Sequence, residues 1–169
     1  MAANAAELYD EDFYAWTQEQ AKALRTHFRG DDRLDVEHLA EEVEDLGSSE
    51  LQAVESFVEQ IIAHLLKLDY SGQDAPRPHW RAEVLNFRRS AGRKISPTIR
   101  RKVESEVDEL YEVGRPIAAV GALPLARRLP NTCPYDWDVI WHRDVMAEAG
   151  IDLSGDGETP KKRRRKRGA

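Results

Sequence analysis

The chain of 169 residues contains one cysteine, Cys133, and two methionines. A lone cysteine excludes an intramolecular disulfide framework and any zinc site built from several thiolates. Long apolar runs are missing too. The longest, Ile61–Leu68 and Ile117–Ala126, reach about half of the ~20 residues that a membrane-spanning helix needs. The residues after Met1 offer neither a basic n-region nor an apolar h-region, so no signal peptide is read there. A soluble, cytoplasmic protein is the expectation. Period-two alternation of the kind that marks a strand is absent, as is any internal repeat. The chain also lacks a glycine-rich phosphate loop, a serine nucleophile elbow and a Cys/His cluster. No catalytic residue, metal or cofactor is therefore assigned, and the sequence spells out no reaction.

What is abundant is charge, unevenly placed. The formal net charge is −6, from 25 Lys+Arg against 31 Asp+Glu. Seven of those bases form one run, Lys161, Lys162, Arg163, Arg164, Arg165, Lys166 and Arg167. Without them, residues 1–160 carry 18 bases against 31 acids, a net of −13. Asp31 to Glu59 holds eleven acids and one base, whereas Arg77 to Lys102 holds nine bases and one acid. Such a division arises when an acidic and a basic helix lie side by side, or when a basic face reads an external anion. A strongly acidic body favours the first. Residues 154–169 have no hydrophobic residue except the terminal alanine and are expected to be a disordered polybasic tail. No aromatics interleave the bases of that tail, so nucleic-acid binding through it is possible but not favoured.

Helical periodicity runs through residues 8–150. Phe13, Trp16, Leu24 and Phe28 keep helical spacing behind Asp10, Glu11 and Asp12, where acids suit a helix N-terminus. Asp35 is a natural N-cap for the strongest stripe: Leu39, Val43, Leu46, Ala53, Phe57, Ile61, Leu65 and Leu68. Gly47-Ser48-Ser49 interrupts it. Either one helix spans 36–70 or two meet near Gly47, and the unbroken phase favours one. Trp80, Val84, Phe87, Ala91 and Ile95 form a third stripe. Ser96-Pro97 restarts the chain as N-cap and first helical residue, with a kink or break expected at Arg115-Pro116. An irregular stretch from Pro124 to Pro134 and a last helix from Tyr135 to about Ala149 follow. The fold expected is all-α: a single-domain bundle of four to five helices.

Two polar residues fall on the long apolar stripe. At about 100° per residue, Glu50 and His64 each lie about 20° from a line through Leu39. An unpaired buried charge is costly, so both need partners. On a continuous helix they stand ~21 Å apart and cannot meet. Arg81, Arg88 and Arg89 are candidate donors for Glu50. A Glu–His acid/base pair or a carboxylate metal site is conceivable, but Glu-x-x-His spacing occurs nowhere and His38 with Glu41 gives only the reverse order. A satisfied polar network that fixes helix register is the plainer reading. Cys133 and the four tryptophans read as packing residues.

Several strings, taken in order, resemble one family. They are Tyr9-Asp-Glu-Asp-Phe-Tyr-Ala-Trp16, Leu39-Ala-Glu-Glu-Val-Glu-Asp-Leu-Gly47 with Ser49-Glu50, His64-Leu-Leu-Lys67 with Tyr70, Trp80-Arg-Ala, and Cys133-Pro-Tyr135. Together they resemble DUF29 over roughly residues 8–145. The resemblance implies a small, all-helical bacterial protein with no catalytic or cofactor residues to carry over. Its motif positions here are Glu41, Glu42, Gly47, Glu50, His64 and Lys67, and His38 stands where the family usually has Asn. Two functions from different classes follow. The preferred one is a non-enzymatic module that binds a protein partner or self-associates. The alternative is a metal-dependent or acid/base enzyme centred on Glu42, Glu50 and His64.

Overall fold

The structure, a computed structural model, describes residues 5–28, 33–120 and 123–150. The polybasic tail expected at 154–169 lies outside these residues. Every regular element described is helical: α1 (Ala5–Glu11), α2 (Phe13–His27), α3 (Val36–Tyr70), α4 (Arg77–Gly92), α5 (Pro97–Ser105), α6 (Val107–Ala119), α7 (Leu123–Ala126) and α8 (Trp137–His142), with a 3-10 turn at Ala147–Ala149. Eight α-helices among the described residues exceed the four to five expected, although only α2 to α6 are longer than eight residues. The excess comes from breaks at Asp12 and Glu106 and from short α7 inside a stretch expected to be irregular.

Gly47 does not break α3, which runs 35 residues, or ~52 Å. Asp35 caps it, accepting from the His38 N–H. Its second half is the spine of the molecule, and Ile61, Ile62, Leu65 and Leu66 are fully buried. Each such side chain contributes roughly 1.5–3 kcal/mol of hydrophobic stabilisation. Around it pack α2, α4 and α6. The break expected at Pro116 falls instead at Glu106, between α5 and α6. Pro116 sits in the last turn of α6 and removes the bond to the Glu112 carbonyl without ending the helix. The last helix is shorter than expected and ends at His142.

Two glycines set how closely helices approach the spine. A Cβ on Gly47 would collide with the Thr17 side chain of α2. A Cβ on Gly114 would lie 2.9 Å from the Glu59 carbonyl oxygen and 3.1 Å from Ile62 Cγ2. Gly114→Ala should therefore lower unfolding stability by about 1–3 kcal/mol through overpacking, even though alanine favours a helix by ~1 kcal/mol. A urea-denaturation midpoint at or above that of the parent would contradict this. Thr17→Ala should relieve part of the matching loss in Gly47→Ala, because that obstruction is a side-chain hydroxyl. No side-chain change can relieve a backbone carbonyl at Gly114.

Three polar joints hold the remaining elements. Asp12 is buried between two helix starts. Its Oδ1 accepts from the Ala15 N–H at 3.0 Å and the Ser96 hydroxyl at 2.7 Å, and its Oδ2 accepts from the Thr98 N–H at 2.7 Å. Arg88 lies against the end of α8 and donates to the carbonyls of Ile140 (2.8 Å), Arg143 (2.7 Å) and Val139 (3.1 Å). It braces the helix end with charged donors, the Val139 and Arg143 carbonyls also accepting from the Arg143 and Val145 N–H groups. Asp69, at the end of α3, accepts two 2.7 Å bonds from Arg143 and one of 2.7 Å from the Tyr135 hydroxyl. The Cys-Pro-Tyr motif is thereby tied to the spine.

Candidate functional site

The motif residues are spread along α3, and three of them, Gly47, Glu50 and His64, have structural work. Glu50 is paired, but its donor is Lys94, at 2.8 and 2.9 Å, and none of Arg81, Arg88 or Arg89. Arg88 is committed to α8, and Lys94 lies just past the end of α4, level with Glu50. The division of charge is thus only slightly compensated between α3 and the basic segment: Lys94–Glu50 is the one ion pair joining them among the described residues. Arg25 of α2 instead takes Glu37 and Glu44.

His64 is 8% exposed. Its Nδ1 lies 2.8 Å from the Gln60 carbonyl, so that nitrogen carries the proton and donates. The ring rests against Phe87, with centroids 5.7 Å apart. Burial lowers the imidazole pKa more than the Gln60 bond raises it, and nearby Lys67 lowers it further. A base whose folded pKa is depressed binds fewer protons folded than unfolded. Its contribution is complete above the unfolded value of ~6.5 and is lost as pH falls toward the folded value. Parent minus His64→Gln should therefore show a stability difference that declines from pH 7 to pH 5. A flat difference would place His64 in solvent.

Glu42, Glu50 and His64 span about 33 Å of one helix and share no site. His38, exposed, pairs its Nδ1 with Asp35 at 2.6 Å, and that carboxylate raises its pKa. Among the described residues no three His, Cys, Asp or Glu side chains converge in a metal-holding group. Cys133 is half-buried and donates to the Tyr135 carbonyl at 3.3 Å, and burial pushes its thiol pKa up. A raised pKa is the reverse of thiolate activation.

What stands out is the first half of α3. Phe87 touches both Phe57 and His64, and Lys94 reaches Glu50, so α4 runs antiparallel to α3 and covers it only from about Glu50 onward. The apolar stripe does not stop there. Leu39 and Leu46, expected in the core, are 44% and 55% exposed, with Val43 half-buried between them. They lie on the same line as Phe57 and His64, but among the described residues no helix covers that line beyond the end of α4. Glu42 and Asp45 lie about 60° and 120° from that line, while Glu41 lies about 160° away on the far side; all three are exposed and none is in an ion pair among the described residues. The opposite side of this half-helix is held by α2, through Gly47 against Thr17 and Arg25 on Glu44.

These features define an all-helical domain, with no strand among the described residues and an acidic, leucine-bearing helix face. The chain belongs to the family described as Domain of unknown function DUF29, whose match covers residues 8–146. It is similar to a crystal structure of an alpha-helical protein of unknown function from Rhodospirillum rubrum ATCC 11170. Identity is 26% and the TM-score 0.70, over 85% of this chain and 94% of that one. No curated protein matches. No helix among the described residues is long and apolar enough to cross a membrane.

Proposed function

We propose that this protein is a docking module that binds a basic amphipathic helix of a partner protein along the first half of α3. The observation that carries the reading is the pair Leu39 and Leu46, half-exposed on the line that α4 covers further along. Residues 36–49 present ~20 Å of helix, enough for a partner helix of about four turns laid into the gap past α4. Such helix-in-groove recognition uses apolar anchors at helical spacing. Glu42 and Asp45, beside that line, select the sign of the partner's flank.

Charge argues for a basic partner over a second copy of this chain. Two copies meeting by this face would oppose acid to acid, and like charges brought together oppose association. The chain's own run Lys161–Arg167 has the right sign but no apolar residue with which to cover the two leucines. The enzyme reading centred on Glu42, Glu50 and His64 gains no support from residues that share no site.

The test is a titration of the full chain with an 18-residue helical peptide carrying leucines at i, i+3 and i+7 and lysines elsewhere, beside a glutamate-flanked peptide of identical apolar pattern. Binding should be confined to the basic peptide. Leu39→Ser/Leu46→Ser should weaken it about 100-fold, as expected for losing two anchors worth at least ~1.5 kcal/mol each, with unfolding stability nearly unchanged. Equal binding of both peptides would refute the charge argument. Concentration-dependent dimerisation lost in the same double variant would make a second copy the occupant.

A further inference from the structure

Lys67 is a half-buried motif residue that the framework does not use. It leaves the spine one turn after His64 and lines a pocket of about 300 Å³ between the end of α3, the start of α4 and the α6–α7 region. That volume is at the lower end for small-molecule sites. Its lining is polar at Lys67, Ser71 and Gln73 and apolar at Trp80, Val120 and Leu125. No carboxylate lines it among the described residues. The Lys67 ammonium has no hydrogen bond or ion pair among the described residues. The ends of α3 do not compete for it: Arg77 donates to the Leu68 carbonyl at 2.6 Å, and the Ser71 N–H donates to the Lys67 carbonyl at 3.2 Å. The Ser71 Oγ accepts from the Gln73 N–H, which leaves the Ser71 O–H able to donate outward.

From this arrangement we infer that the pocket binds a small organic monocarboxylate, its carboxylate on Lys67 and Ser71 and its apolar body between Trp80 and Leu125. One ammonium with neutral donors matches a single negative charge. A phosphate dianion is commonly held by an arginine fork, and no arginine is among the described residues that line this pocket. An apolar body is required because half the lining offers no polar partner. Burial already depresses the Lys67 pKa, and a bound anion would reverse that effect. The inference stands independently of the docking face, which lies at the other end of α3.

Calorimetric titration of the full chain with benzoate, hexanoate, inorganic phosphate and cyclohexylamine tests it. Benzoate and hexanoate should bind with a Kd of about 1 mM or tighter, and phosphate and the amine should not bind. Lys67→Met and Lys67→Gln should each weaken benzoate at least tenfold while keeping the parent's helical circular dichroism and thermal midpoint. Bound benzoate should also raise the Lys67 ammonium pKa, read from its Nζ resonance. That readout needs no variant. Binding of phosphate in preference to carboxylates, unchanged affinity in both Lys67 variants, or no binding by any of the four compounds would each overturn the assignment.

Discussion

Arg88→Met is expected to destabilise the protein by about 2–4 kcal/mol, the scale set by losing three charge-assisted hydrogen bonds. All three guanidinium nitrogens are used, each on a different carbonyl at the end of α8. Methionine keeps much of the aliphatic volume, so the loss reports the hydrogen bonds more than the packing. Arg88→Lys should recover only part of it, since an ammonium cannot reproduce a planar fork that spans three acceptors. The Trp137–Trp141 stack, with centroids 5.2 Å apart, sits on α8. Near-UV circular dichroism should therefore lose tryptophan signal as α8 frays, alongside the shift in the urea midpoint. A stability change below about 1 kcal/mol with an intact tryptophan signal would show that α8 is held by other contacts.

Asp12→Ala should cost a comparable ~2–4 kcal/mol, because it removes an N-cap and strands two further donors. The carboxylate caps α2 and also receives the Ser96 hydroxyl and the Thr98 N–H at the start of α5. Asp12→Asn should not rescue the site, since its amide nitrogen would face a donor. Burial alone would raise the Asp12 pKa. The bonds from Ala15, Ser96 and Thr98 outweigh burial and hold the carboxyl below its ordinary value. A carboxylate with a depressed folded pKa stabilises fully above the unfolded value of ~3.9 and loses that contribution as pH falls through the folded value. Parent and Asp12→Ala stabilities should thus differ by a constant amount from pH 5 to pH 8 and converge only below about pH 4. Convergence near neutral pH would mean that another group supplies the effect.

Local rules carried much of this fold in the sequence. Asp35 as a cap, the phase of the stripe through Gly47, and Ser96-Pro97 as a helix start are decisions made within a few residues, and all three are found. The breaks at Asp12 and Glu106 and the early end of α8 depend on packing between elements. Arg88 ends α8 across more than fifty residues of chain, which no local pattern encodes. The same holds at the candidate sites. The helical wheel placed Glu50 and His64 on the apolar line, but which base meets Glu50 depends on where α4 stops, and Lys94 carried no mark of that role. The wheel also placed Leu39 and Leu46 on the buried line. Periodicity reports which residues share a face, while their cover depends on the length of the neighbouring helix. Lys67 was visible as a motif residue, although its pocket was not.

The account rests most heavily on the first half of α3 being a docking face. Amide chemical-shift mapping of the ¹⁵N-labelled full chain with the basic amphipathic peptide tests it most directly. The expected result is saturable shifts concentrated between Val36 and Glu50, absent with the acidic peptide and absent in Leu39→Ser/Leu46→Ser. Shifts centred instead on α5 or on the Lys67 pocket, or no saturable shift at all, would contradict it.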